Sequence, residues 1–461
     1  MPVLELPELE TPLERSARKG MRADLIAGGL ALALVAAASL AIFWLHWYSL
    51  LRIYAWAPPL FGHIVPRVGP GTPVVLVVAV LVVARGPELA ARLRWRWLCL
   101  AGYAAAAVWT FGLAMINGWQ VGVVNELSSG DQYLQDVPGA TDISVLLHGF
   151  TSHILLGQPG HWVTQVSGHP PGALLVFVWL DRLGLRGGGW ADMTCLLVGC
   201  LAAVAVPATV RALGDERAAR TIMPFTVLFP GAIWIGASAD GLFTGVTSVG
   251  VLLLAVGAGR LRPADRPLAG ALACLSGGLL LGYGMFLSYG LVLLAPIAVV
   301  ACVLRRSWWG IALGLAGALL VVATFAVSGF WWLDGYDTVI QRYYQDLGTT
   351  RPSNYWVWAN LASLVLSAGP LVGPGLRRSL LDPVRHRRLR PVAGLVLAAA
   401  LAIAVADKSG LSKAEVERIW LPFGVWLTSA AALLPVASRR WWLAGQALTA
   451  LVLAHLVLTK W

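Results

Sequence analysis

The chain has 461 residues, 58% of them hydrophobic and only 12% charged, with a formal net charge of +11. Water-soluble domains carry about 25% charged residues, so this chain, with mean hydropathy +0.73, cannot cover a water-facing surface and is read as an all-α polytopic membrane protein. The basic excess belongs to membrane topology rather than nucleic acid, and the five cysteines, all within apolar segments, match no metal spacing and argue against disulfides.

The N-terminal stretch MPVLELPELETPLERSARKG is polar and lacks the apolar core of a cleavable signal, so the first hydrophobic segment is expected to act as an uncleaved anchor. Segments long enough to cross a hydrocarbon core are predicted at 24–47, 73–92 and 97–116. The run 117–189 is the longest polar interruption. Further spans are predicted at 190–210, 221–238, 241–259, 267–284, 286–303, 308–330, 356–375, 391–406, 419–437 and 441–459, about 13 in all, in a single domain covering 1–461.

Orientation follows from the positive charges. With the N-terminus inside, 24 of the 34 Lys and Arg residues fall in inner loops, including the cluster Arg377, Arg378, Arg385, Arg387, Arg388 and Arg390. This register requires 172–185 (GALLVFVWLDRLGL) to be an outer-face juxtamembrane or re-entrant helix, because it is short and carries Asp181 and Arg182. Polar variety then concentrates in three outer segments, 117–189, 331–355 and 407–418.

The first outer segment holds Glu126, Asp131, Asp136, Asp142 and the histidines 148, 153, 161 and 169. A carboxylate at a membrane face can take the proton of an acceptor hydroxyl, and partial burial raises its pKa towards the working range. Asp131 and Asp136, in GDQYLQDVP, are the candidate catalytic acids, the alternative being a solvated loop acid or a helix cap. His169 precedes Pro170 and Pro171, a rigid kink that can present the imidazole to a substrate or merely turn the chain. The histidine spacing fits no zinc pattern. No metal ligands are assigned and no cofactor is required, although a divalent cation is compatible with the outer acids.

Asp240, in GASADGLF, lies where two spans meet, either as a buried partner or as a helix cap. The stretch WWLDGYDTVIQRYYQDLGTTRPSNYW interleaves aromatics with charge. Trp and Tyr stack on sugar rings and Arg forks onto phosphate, which makes Arg342, Tyr343 and Arg351 candidate substrate contacts. An interfacial aromatic belt has the same composition. In KSGLSKAEVERIWLPF, Arg418 is a candidate phosphate ligand and Glu417 its orienter, against the simpler reading of a surface ion pair.

Two motifs carry a family resemblance: Asp131 just ahead of Tyr133-Leu134 in an early outer loop, and His169-Pro170-Pro171 leading into the next helix. Both resemble the C superfamily of polytopic membrane glycosyltransferases, and Glu417-Arg418 before Trp420-Leu421-Pro422-Phe423 resembles its actinobacterial members. The resemblance implies a polyprenyl-phosphate sugar as donor, a cell-envelope glycan or glycolipid as acceptor, and Asp131 as base. It further implies His169, Arg342, Arg351 and Arg418 around the donor phosphate, in a multi-pass plasma-membrane enzyme whose site is extracytoplasmic. A transporter or lipid flippase is the competing reading. It would carry ionisable groups at mid-membrane and internal repeats, whereas these acids gather at one face.

Overall fold

A computed structural model describes residues 12–44, 53, 55–236, 238–261 and 266–459. The end of the first predicted span, 45–47, and Arg262 lie outside the described residues. Helices dominate, and the only strand pair among the described residues joins β1 (Gly62–Ile64) to the C-terminal β2 (Val457–Thr459), antiparallel.

Among the described residues, eight helices are long and apolar enough to cross a bilayer. The first three are α1 (Pro12–Trp44), α2 (Thr72–Arg92) and α3 (Trp95–Ala114). The long polar run then folds as short helical turns and α4 (Pro171–Arg182), followed by the span Gly188–Ala212, labelled α5. Beyond α6 (Glu216–Val227) come three closely packed spans: α7 (Ala239–Arg260), α8 (Pro267–Leu287) and α9 (Trp308–Val327). Glycine permits the close approach: a Cβ on Gly277 of α8 would lie 2.7 Å from the Gly250 carbonyl oxygen of α7. The chain continues through α10 (Trp332–Gln345), α11 (Ser353–Ala368), α12 (Val372–His386), the span α13 (Pro391–Ser409), the single turn α14 (Val416–Ile419) and α15 (Val436–Leu456).

The expected 13 spans do not appear as 13 regular apolar helices. The predicted segment 221–238 is broken: α6 ends at Val227, and only the turn Ala232–Ile235 follows. Pro230, with no N–H to donate, stands at the break. Segments 286–303 and 419–437 appear as the shorter apolar stretches Tyr289–Leu304 and Leu421–Leu433. α11 and α12 meet at 97°. Gly369, at φ 94°, makes that corner, and its missing side chain leaves room for the Gln446 amide. The run 376–390, expected as a loop, is therefore largely helix, lying across the end of the bundle.

Two faces result. On one, guanidinium groups cap exposed carbonyls: Arg220 donates to Ala90 and Leu93, Arg440 to Ala84, and Arg378 to Leu433. Arg377 and Arg378 of α12 also clasp Asp24 of α1, which is 1% exposed, at 2.8 and 2.6 Å. On the other face lie β1 and β2, the run 117–187, α4, α10 and the segment 410–419. α4 bears on the register. At 12 residues it is about 18 Å long, well short of a hydrocarbon core of ~30 Å. Both its flanks touch this second face. Gly172 packs on Phe286 at the end of α8, and Gly188 packs on Val124. Arg182 donates to the Thr141 carbonyl at 2.8 Å. The helix is too short to cross alone, and most of its residues are buried against its neighbours.

Candidate active site

On the second face a cavity of about 550 Å³ opens between α10, the end of α13, the 410–419 segment and the short turn before His169. Its two sides differ in chemistry.

One side is aromatic and aliphatic. Trp332 and Tyr336, one turn apart on α10, stack at 5.3 Å, and Tyr289 meets Trp332 edge-on at 5.4 Å. The Trp332 indole N–H is anchored on the Met285 carbonyl, so the ring is held in place. Val292 and Val405 extend this wall and are 42% and 46% exposed on the bundle's flank. A bilayer is the environment that tolerates such exposure.

The opposite side is ionic and buried. Arg418, 5% exposed, donates to Asp240 and Glu415, each at 2.8 Å. Glu415 takes a second guanidinium, that of Arg351, at 2.9 Å. Arg351 also donates to the Lys413 carbonyl at 2.6 Å, and the Lys413 ammonium caps the Gly348 carbonyl at 2.7 Å. Arg342, 6% exposed, reaches Asp346 at 3.3 Å, and its Nε has no partner among the described residues. Burial alone would push the Glu415 carboxyl up, yet Arg351 and Arg418 outweigh it and hold the group below its ordinary range. Burial lowers the pKa of Lys413. Three guanidinium groups and the Lys413 ammonium thus face one cavity against three carboxylates, Asp240, Glu415 and Asp346, a surplus of one positive charge. An anion carrying several acceptor oxygens is the ligand such a wall suits.

The backbone beneath this wall is strained. Ala414 and Glu415 are consecutive non-glycine residues at φ 68° and 63°, a left-handed conformation that costs on the order of 1–3 kcal/mol per residue. Asn360 holds the turn: its Oδ1 accepts from the Ala414 N–H at 3.3 Å and its Nδ2 donates to the Ser412 carbonyl at 2.7 Å.

His169 lines the cavity from the other side, packed between Tyr133 and Phe243, each 5.7 Å away. Its Nδ1 lies 2.7 Å from the Gln165 carbonyl, so Nδ1 carries the proton and Nε2 is left with a lone pair. Burial lowers its pKa, partly offset by Asp240, and the ring is neutral at pH 7. The Gln165 N–H donates to the main-chain carbonyl of Asp131 at 3.0 Å. Asp131 therefore sits one hydrogen bond behind the cavity wall. Its carboxylate is exposed and makes no hydrogen bond or ion pair among the described residues.

His169, Arg342, Tyr343, Arg351 and Arg418 all line this one cavity. Asp240 does not line it but anchors Arg418; Ser238, not Asp240, is the cap residue of α7. Glu417 departs from expectation. It is fully buried behind the wall, where its Oε1 accepts the Phe61 N–H at 2.9 Å, and the carboxylates that orient Arg418 are Glu415 and Asp240. Asp136 ties the loop, accepting the Val163 N–H at 3.0 Å. Asp142 caps the helix Ile143–Gly149. Glu415 and Lys413 were not singled out from the sequence. Nothing in KAEVER marks two left-handed residues, because neither is glycine. No group of three or more His, Cys, Asp or Glu residues suited to a metal occurs among the described residues.

Glu417 gives the protein a pH dependence. Burial pushes its carboxyl up to about 7, against the opposing pull of the Phe61 N–H. Between the ordinary carboxyl range and about pH 7 the folded protein holds a proton that the unfolded chain has released, so stability falls as pH rises through that window. Glu417→Gln keeps an acceptor for Phe61 and should remove roughly 3 kcal/mol of this slope. Apparent melting temperatures across the window read the effect, and an unaltered slope in the variant would refute it.

No family model and no curated protein matches the chain. Among solved structures, ArnT from Cupriavidus metallidurans is similar in the apo state at 17% identity and TM-score 0.42, over 68% of this chain and 56% of that one. Bound to undecaprenyl phosphate, the same protein matches at 17% identity and TM-score 0.45, over 76% and 62%. The Archaeoglobus fulgidus oligosaccharyltransferase, in complex with zinc and sulfate, matches at 14% and TM-score 0.48, over 77% and 52%. Both proteins belong to the C superfamily of polytopic membrane glycosyltransferases. This chain spans roughly half to three fifths of their lengths. At this level the likeness is one of helical outline, and the cavity's own residues carry the functional reading.

Proposed function

We propose that the protein is a membrane glycosyltransferase that moves a sugar from a polyprenyl-phosphate donor to a hydroxyl of a cell-envelope glycan or glycolipid. One observation carries this: a single cavity pairs an aromatic and aliphatic wall, open to the bundle's flank, with a wall of buried guanidinium groups. Only an amphiphile bearing a compact anion satisfies both. The undecaprenyl phosphate bound to the Cupriavidus protein is of this class.

In the proposed reaction the acceptor oxygen attacks the anomeric carbon, the C–O bond to the phosphate breaks, and the lipid phosphate leaves with the bonding pair. Arg342, Arg351 and Arg418 stabilise the charge that develops on the leaving phosphate. Trp332 and Tyr336 offer a stacking surface for the sugar. Asp131, one hydrogen bond behind the Gln165 wall, takes the acceptor's proton. His169 is the second reading for this base, favoured by its position on the cavity wall and its free Nε2 lone pair. Positive charge gathers on the opposite face, which the charge rule places in the cytoplasm, so the cavity faces outward. A sugar held on a lipid phosphate reaches such a site by diffusion within the membrane.

The test is direct. Purified protein given a radiolabelled polyprenyl-phosphate sugar and an envelope-lipid acceptor fraction should consume the donor and release unlabelled lipid phosphate. Movement of intact donor across a proteoliposome without cleavage would instead establish a flippase.

A further inference from the structure

A second cavity, of about 670 Å³, lies on the opposite face, between the end of α2, the start of α6 and the start of α15. Four arginines line it: Arg217, Arg220, Arg439 and Arg440. Two of them are fixed by the protein itself. Arg220 is held by the Ala90 and Leu93 carbonyls, both at 2.8 Å, and by Glu216 at 2.8 Å. Arg439 is held by the Leu434 and Ala432 carbonyls at 2.9 and 3.0 Å. The other two keep most of their donors unused. Arg440 gives one N–H to the Ala84 carbonyl at 3.1 Å, and Arg217 has no partner among the described residues. The only carboxylate in the lining, Glu216, is already shared by Arg211 and Arg220. The remaining wall is apolar, with Pro87 and Ala91 of α2 and Phe225 of α6. It continues outward into Val436, 78% exposed.

We propose that this cavity binds the phosphodiester headgroup of an anionic phospholipid from the leaflet on that face, with Arg217 and Arg440 as its ligands and the apolar wall receiving the acyl chains. A scattered excess of positive charge is expected on this face of any multi-pass protein and is not itself a site. Here the distinguishing feature is a concave pocket in which two guanidinium groups are immobilised as walls while two others keep unfilled donors. It adjoins the exposed apolar side chain of Val436. Basic pockets between spans on this face are suited to lipid headgroups. A free phosphate offers the same oxygens but nothing for the apolar wall. The inference is independent of the glycosyltransferase reading.

The experiment titrates the full-length protein in detergent with phosphatidylglycerol, phosphatidylcholine or inorganic phosphate, read by native mass spectrometry and thermal unfolding. Phosphatidylglycerol should bind more tightly than phosphatidylcholine, and inorganic phosphate should not protect. Arg217→Gln with Arg440→Gln should weaken phosphatidylglycerol binding on the order of tenfold or more. Arg385→Gln with Arg388→Gln, both exposed on the same face and removing the same charge, should leave it unchanged. Equal binding of both lipids, protection by phosphate alone, or an equal loss in the control pair each overturns the proposal. Should the first double variant melt early without lipid, Arg217→Gln alone carries the test, since that side chain holds nothing in place.

Discussion

Asp131→Asn is expected to cut sugar transfer by about 10²–10⁴-fold, the usual contribution of a positioned base, with an unchanged melting temperature. The Asp131 carboxylate is exposed and binds no other side chain or backbone group among the described residues, and the contact that fixes its position uses the main-chain carbonyl. Asparagine keeps that carbonyl and the side chain's shape and loses only the ability to take a proton. Steady-state rates with the labelled donor, alongside thermal unfolding, check this. His169→Gln is the companion variant. If Asp131→Asn turns over normally while His169→Gln is inactive, the base is the imidazole. If both are active, neither is the base and the cavity acts by holding the phosphate alone.

The second large effect belongs to Arg418→Gln. Its guanidinium lies between Asp240 and Glu415 inside the protein, and removing one partner of a buried ionic cluster typically costs about 3–5 kcal/mol, here because Asp240 is left uncompensated while Glu415 keeps Arg351. The variant should therefore melt at much lower temperature and also lose donor binding. Adding Asp240→Asn separates the two roles. The double variant removes one charge of each sign, so much of the stability should return, whereas donor affinity should not, because the phosphate contact is still missing. Activity that recovers together with stability would make Arg418 a structural residue only.

The architecture was legible where one physical cue dominated. Uninterrupted apolar runs such as 241–259 and 267–284 become α7 and α8 almost unchanged, because bilayer depth fixes their length. The shortness of the helix within 172–185 could be inferred because two charges interrupt the apolar run. Where hydropathy and backbone chemistry conflict, the reading strayed. The segment 221–238 is apolar enough to cross yet is broken around Pro230. α15 starts at Val436 and takes Arg439 and Arg440 into its first turns, where each donates to carbonyls at the bundle's end. Within the cavity, Arg342, Arg351 and Arg418 were chosen for residue type and converge from three separate segments. The error over Glu417 and Glu415 has a clear origin. Adjacency in sequence suggested Glu417 as the neighbour of Arg418, but consecutive side chains on one turn point in different directions. The left-handed pair at Ala414 and Glu415 then swings Glu415 under both arginines, and no local signal announces that conformation.

The exposed valines at the cavity's flank bear on how this protein should be assayed. Under the proposed glycosyl transfer, a lipid-linked donor arriving past Val292 and Val405 travels in two dimensions, so turnover should follow moles of donor per area of membrane. Diluting the donor with inert lipid at fixed volume should slow turnover, whereas diluting the whole suspension with buffer should not. Michaelis constants for it acquire meaning only as mole fractions.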